Sequence, residues 1–253
     1  MRKYRYPFLI LVLLVYSVAL VAPVDRFNFA ARVLMHHIRY NHLSHLIFPG
    51  SIVKPEILWG NRSKKLVIFT FDAGGTTQSA VDIVATLERH RIKSTFFITG
   101  AWASKNSTIT DQIFKKGHEI YNHTYSHPYL TGLSDSQIQN ELQKTEDAIV
   151  AITGKSTKPY FRPAYGDHNA RVLEVAAKMG YQSVYWTVDA FDWKETVGYT
   201  TAQAKKRVLE NLKPGTIYLM HIGNGISGQL LDELLTEIKT RGYTIVSLRE
   251  GIQ

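Results

Sequence analysis

The side chains able to do chemistry fall into five short stretches. Thr70-Phe71-Asp72-Ala73-Gly74 carries a carboxylate. His123-Thr124-Tyr125-Ser126-His127 carries two imidazoles four residues apart, a spacing at which both can bind one divalent metal. Arg162-Pro163-Ala164-Tyr165-Gly166 supplies a guanidinium and a phenol. Asp189-Ala190-Phe191-Asp192-Trp193 supplies two carboxylates and an indole, and Leu219-Met220-His221 a further imidazole. Carboxylate and imidazole are the usual carriers of protons in catalysis. A metal held between histidines can lower the pKa of a water to about 7 and polarise a carbonyl. The 253-residue chain contains no cysteine, which excludes a thiol nucleophile, a thiolate metal site and a disulfide framework.

These stretches sit where a particular architecture would place them. Leu66–Phe71 is a nearly continuous apolar run, as a strand covered on both faces would be. Similar runs occupy Ser94–Thr99, Glu119–Asn122, Ser183–Val188, Ile217–His221 and Thr244–Leu248. Helical patterns lie between them over Gln78–His90, Ser134–Ile152, Asn169–Lys178, Thr201–Asn211 and Gly228–Thr240. In the second of these, Ser134 and Gln137 form a capping box and Gly154 closes the helix. Strand–helix alternation predicts an α/β domain with a parallel sheet, open or closed into a barrel. Sites in such folds form at the C-terminal ends of strands. Asp72, His123 with His127, Asp189 with Asp192, and His221 all fall at or just after such ends.

Apolar residues make up 45% of the chain and charged residues 20%, so the body is globular. The net charge is +9. Arg2, Lys3 and Arg5 supply three of the nine, and the remainder is 27 bases against 21 acids without a like-charge block. That distribution predicts no nucleic-acid partner. Residues 7–24, PFLILVLLVYSVALVAPV, are apolar and uncharged behind the basic end. This is the order of a signal anchor or signal peptide, with the body outside the cytoplasmic membrane. Pro23 disfavours cleavage, so the reading is a retained anchor over 1–24. A juxtamembrane stalk follows over 25–60, carrying His36, His37, His42 and His45, and the main domain spans 61–253.

Taken in order, the five stretches resemble the motifs of the polysaccharide deacetylases, the NodB homology domain of carbohydrate esterase family 4, from about Lys65 to Glu250. They match T-F-D-D-G, H-S/T-x-x-H, R-P-P-Y-G, D-x-x-D-W and L-x-H. The resemblance implies a distorted (β/α) barrel of about seven parallel strands and hydrolysis of N-acetyl groups on amino sugars. It implies a metal at His123 and His127, with zinc foremost and cobalt, nickel or manganese as alternatives. Asp72 would be the general base, oriented by Arg162. His221 would be the general acid, kept protonated by Asp192. The Tyr165 backbone N–H would help hold the oxyanion, and Trp193 and Leu219 would form the slot for the acetyl group.

One position departs from the pattern. The family's third metal ligand is the second Asp of T-F-D-D-G, and here Ala73 stands there with no donor atom. Either Asp72 doubles as ligand, or water fills the position, or the site has lost its metal and the protein binds glycan without turnover. Outside the main set, Asp189 reads as a structural support for the loop presenting Asp192. His118 faces the far end of the sheet, and Asp167 and His168 read as loop or helix-cap residues.

Overall fold

The computed structural model describes residues 53–253. The anchor expected over 1–24 and most of the stalk expected over 25–60 lie outside the described residues. Among those described, no helix is long and apolar enough to cross a membrane.

The described chain carries eight strands: β1 (Leu66–Ala73), β2 (Thr95–Ile98), β3 (Glu119–Asn122), β4 (Tyr160–Phe161), β5 (Gln182–Ser183), β6 (Val188–Asp189), β7 (Ile217–His221) and β8 (Thr244–Val246). All pair in parallel, in the order β5-β4-β3-β2-β1-β7-β6, with β8 beside the start of β1. The seven-strand path is a parallel half-barrel. The helices are α1 (Ala80–Arg89), α2 (Gly100–Lys105), α3 (Ser107–Lys115), α4 (Asp135–Thr153), α5 (Ala170–Lys178), α6 (Thr201–Glu210), α7 (Gly225–Thr240) and α8 (Leu248–Gly251).

Strand alternation divides β1 between two cores. Val67, Phe69, Phe71 and Ala73 point outward into the apolar layer shared with α1 and α7. Ile68 points inward, joining Phe97, Tyr121, Val184, Ile217 and Val246 in a plug at the lower end of the barrel. Above that plug the inward positions turn polar, at Thr70 and then Asp72. Each large apolar side chain buried in these layers stabilises the fold by about 1.5–3 kcal/mol. The polar inward positions forgo that gain in exchange for a site.

Several predicted elements differ in detail. The run read as one strand over Ser183–Val188 is two short strands separated by Val184–Thr187. The chain before β1 fills that break: Ile57 N–H donates to Ser183 O and Ile57 O accepts Tyr185 N–H, while Leu58 O accepts from Thr187 Oγ1. Residues 56–60, read from sequence as the end of a stalk, therefore form part of the barrel wall. The last apolar run stops as a strand at Val246, because Ser247 caps α8. The capping box of Ser134 and Gln137 is present, and Gly154 takes the left-handed conformation at φ 70°.

Candidate active site

The upper rim of the barrel collects the five motif stretches. Register places Asp72 of β1 directly beside His221 of β7, so one ladder pair delivers a carboxylate and an imidazole side by side. Arg162 follows β4 and is fully buried. Its Nη1 donates to Asp72 Oδ1 at 2.6 Å and to Thr70 Oγ1 at 2.9 Å. Its Nε and Nη2 donate to Val184 O and Tyr185 O, and its guanidinium lies 4.0 Å from the Phe97 ring centroid. Every side of the fork is held, so Asp72 meets a fixed cation.

His123 leaves the end of β3. Its Nδ1–H donates to Arg162 O at 2.9 Å, which leaves the Nε2 lone pair facing the site. That Nε2 lies 3.4 Å from Asp72 Oδ2 and 3.2 Å from His127 Nε2. Burial pushes both imidazoles down, His127 to about 4. Both are therefore neutral at physiological pH, the form that ligates metal.

The turn between them is held from outside. Thr124 and His127 have φ of 67° and 62°, a region costly for residues other than glycine. Asn122 Oδ1 accepts the Thr124 N–H. Glu141 of α4 accepts the Tyr125 and Ser126 N–H groups, both at 2.8 Å, and the Ser126 hydroxyl. Sequence reasoning missed Glu141, because nothing local relates a residue inside α4 to a loop that precedes it. Glu141→Ala removes three donors' partner. It is expected to cost about 2 kcal/mol in urea denaturation and to weaken metal binding to the His123–His127 pair in calorimetric titration.

Asp192 is fully buried on the other flank. Its Oδ1 accepts from His221 Nδ1 at 2.9 Å, and its Oδ2 from the His221 N–H at 2.6 Å, from Asn224 Nδ2 and from Ser227 Oγ. Burial opposes its charge, but the His221 cation and these donors hold the carboxyl below its ordinary range. For His221, burial favours the neutral form, and the Asp192 charge and hydrogen bond outweigh it, raising the imidazole to about 9. The ring keeps 28% exposure, so it is open to the mouth of the site.

The remaining predicted residues complete the rim. Tyr165 stands in the turn Ala164–Gly166, with φ 57°. Gly166 is required there: at φ 68°, an added Cβ would lie 2.6 Å from the Tyr185 ring. Trp193 is half exposed, and its Nε1 donates to Asp189 Oδ2. Asp189 also accepts the Phe191 N–H, so it shapes the loop carrying Asp192 and Trp193. Leu219 is buried in β7, level with Thr70 and Asp189. His118 lies before β3, buried, with Nδ1 accepting the Ser94 N–H. Asp167 binds Thr131 through its carboxylate, and Asn169 caps α5.

A metal suits part of this arrangement. The two imidazoles bring their Nε2 atoms within 3.2 Å of each other, and Asp72 Oδ2 lies 3.4 Å from that of His123. Ala73 lies fully buried in the outer apolar layer and offers no donor. Among the described residues, no group of three His, Cys, Asp or Glu side chains converges closely enough to hold an ion. His123 and His127 could supply a pair of ligands, with Asp72 or solvent at a third position.

Comparison with known proteins identifies the family. The polysaccharide deacetylase family model matches residues 60–184. The chain is 33% identical over 189 residues to the peptidoglycan-N-acetylmuramic acid deacetylase PdaA of Bacillus subtilis, covering 75% of this chain and 72% of that one. It is 34% identical over 198 residues to the peptidoglycan-N-acetylglucosamine deacetylase of Bacillus cereus, covering 77% and 70%. Among solved structures, a family 4 pseudoenzyme from Bacillus anthracis superposes with TM-score 0.74 at 30% identity, covering 78% and 69%, and a mutant of that pseudoenzyme has restored enzymatic activity. The chain belongs to the polysaccharide deacetylase family.

Proposed function

We propose that the domain removes N-acetyl groups from amino sugars of a cell-surface polysaccharide, peptidoglycan foremost and chitooligosaccharide next. We place it outside the cytoplasmic membrane, held there by the N-terminal segment. The observation that carries this reading is the ladder pair of Asp72 and His221, each with its own complete set of partners.

The proton transfers follow from those partners. Asp72, held by Arg162, takes a proton from the attacking water. Water oxygen bonds to the acetyl carbon, and the carbon–nitrogen bond breaks. His221 gives its proton to the departing sugar nitrogen, so acetate and a free amine result. Asp192 keeps His221 charged until that step. The Tyr165 N–H faces the negative charge developing on the carbonyl oxygen. Leu219 and Trp193 receive the acetyl methyl and one sugar face. A divalent metal held by His123 and His127, zinc foremost with cobalt, nickel and manganese as alternatives, would polarise the carbonyl and acidify water.

Ala73 favours a second reading, a glycan-binding protein without turnover, and the likeness to a pseudoenzyme points the same way. Ala73→Asp tests the metal part of the proposal. The residue 73 side chain lies in the outer apolar layer, so an aspartate there tightens zinc binding and raises acetate release from N-acetylglucosamine oligomers only by turning the end of β1 toward the histidine pair. Unchanged zinc affinity would show that residue 73 does not reach the metal. Wild-type protein that binds these oligomers but releases no acetate with any of the four metals would favour the second reading.

A further inference from the structure

Cations gather at the end of the barrel opposite the site. Arg62, Lys64 and Lys65 lead into β1, and Arg91 and Lys93 into β2. Lys155 and Lys158 lead into β4, Lys213 into β7 and Lys239 into β8. The strands are all parallel, so their starts share one face, while the catalytic motifs at their ends share the other. All of these side chains are exposed. None has a carboxylate within ion-pair distance among the described residues.

The sequence shows no like-charge block because this face is assembled from separate connections. Nearby carboxylates do not offset it. Glu88, Glu119, Glu210 and Glu237 are paired with Lys116, Arg249, Lys206 and Arg241, and Glu146 accepts the Ser156 and Thr157 hydroxyls. Among the described residues that leaves Glu250 at this end. Cations complement the C-terminal ends of helices, which accounts for Lys239 in the last turn of α7. It does not account for Arg62, Lys64 and Lys65, which follow no described helix.

The chain enters the domain at the same end. Pro55 O accepts from Gln182 Nε2 at the first residue of β5, and Ile57 pairs in parallel with Val184. Residues 55–57 therefore climb beside β5 from its lower end. Lys54 stands at that entry, exposed and without a carboxylate partner among the described residues. Away from this end, the exposed cations in that condition are Lys105 and Lys144. Residues 25–52 join the entry to the apolar segment 7–24.

We propose that this basic face docks on an anionic phospholipid surface, so that the domain lies on the membrane with its catalytic rim turned outward. This rests on the membrane-held reading above. Each Lys or Arg close to anionic headgroups strengthens binding about fivefold. An anionic wall polymer offers similar phosphates. Entry of the chain at the basic end favours lipid, because the tether holds that end beside the headgroups at high effective concentration.

The chain has no cysteine, so a single dye can be placed at either end: Thr244→Cys at the start of β8, or Val197→Cys beyond β6, both exposed. Full-length protein is reconstituted in nanodiscs with acceptor-labelled headgroups. In phosphatidylglycerol discs, energy transfer from Thr244→Cys is expected to exceed that from Val197→Cys about twofold or more, since roughly 25 Å of strand separates the two ends. The excess should vanish in phosphatidylcholine discs, and in 1 M salt, where the screening length is about 3 Å. Lys64, Lys155 and Lys213 make no side-chain hydrogen bond or ion pair among the described residues, so replacing all three by Glu should spare the fold and remove the excess. Equal transfer from the two positions in phosphatidylglycerol would overturn the proposal. So would an excess that is as large in phosphatidylcholine, or that survives salt or the triple replacement. Equal transfer from protein that binds soluble poly(glycerol phosphate) would assign the face to a wall polymer instead. If the full chain enters neither kind of disc, the membrane-held reading fails, and free full-length protein with phosphatidylglycerol vesicles still decides the face. Binding weakened about tenfold or more by the triple replacement supports the face, and equal binding ends it.

Discussion

Replacing His221 with alanine is expected to lower kcat by about a hundred- to ten-thousandfold, the range for losing a positioned general acid, with metal affinity equal to that of wild type. The milder change Asp192→Asn is more informative. His221 must be protonated to donate, and beside Asp192 its imidazole is raised to about 9. The wild-type rate should therefore hold through neutral pH and fall as pH passes through that value. Asparagine removes the charge that raises His221, so the alkaline limb should move down toward the ordinary histidine pKa of about 6.5. The same pair predicts a pH dependence of stability. A folded pKa raised above the unfolded one stabilises fully below about 6.5 and loses that contribution as pH rises through about 9. The wild-type Tm should fall across that window, and Asp192→Asn should flatten the fall. An alkaline limb that stays in place in Asp192→Asn would remove His221 from the role of acid.

Arg162→Met should have the second large effect, on folding as well as on rate. Arg162 is fully buried and donates to Thr70, Asp72, Val184 and Tyr185. Methionine fills the volume, but it leaves the Asp72 carboxylate inside the barrel without its cation, and two carbonyl oxygens without donors. Breaking one member of a buried ion pair costs about 3–5 kcal/mol, a large share of the stability of a domain this size. Urea denaturation reads that loss directly. Arg162→Lys should recover only part of it, since an ammonium cannot reach carboxylate, hydroxyl and two carbonyls with one rigid fork. The double variant Asp72→Asn with Arg162→Met should be less destabilised than Arg162→Met alone, because the stranded charge is gone. If Arg162→Met unfolds no more easily than wild type, Arg162 is not the strut of the site.

The candidate groups were legible in the sequence because their order and spacing are local: His123 and His127 share one turn, and Asp192 follows Asp189 by three residues. What holds them was not. Ser227 reaches Asp192 across 35 positions, and Glu141 reaches Ser126 across 15. No periodicity marks such partners. Strand β4 contains two residues, too few to show alternation, yet it carries Arg162 to the centre of the barrel. Helices α2 and α3 were missed for a similar reason. They are short and adjoin at Asn106, so neither fills a window in which a helical period stands out. The segment at 56–60 has only Ile57, Leu58 and Trp59 as apolar residues in a row, and its place in the wall depends on the break between β5 and β6. Ala73 was legible as a departure, and its burial in the outer layer is a fact of the fold alone.

The most direct measurement is acetate released from the N-acetylglucosamine tetramer by the purified full chain, after chelation and after return of zinc, cobalt, nickel or manganese. Acetate should be matched one for one by free amine, stimulated by at least one of these metals and abolished in Asp72→Asn. No acetate under any of them, from protein that still binds the tetramer, would contradict the deacetylase reading.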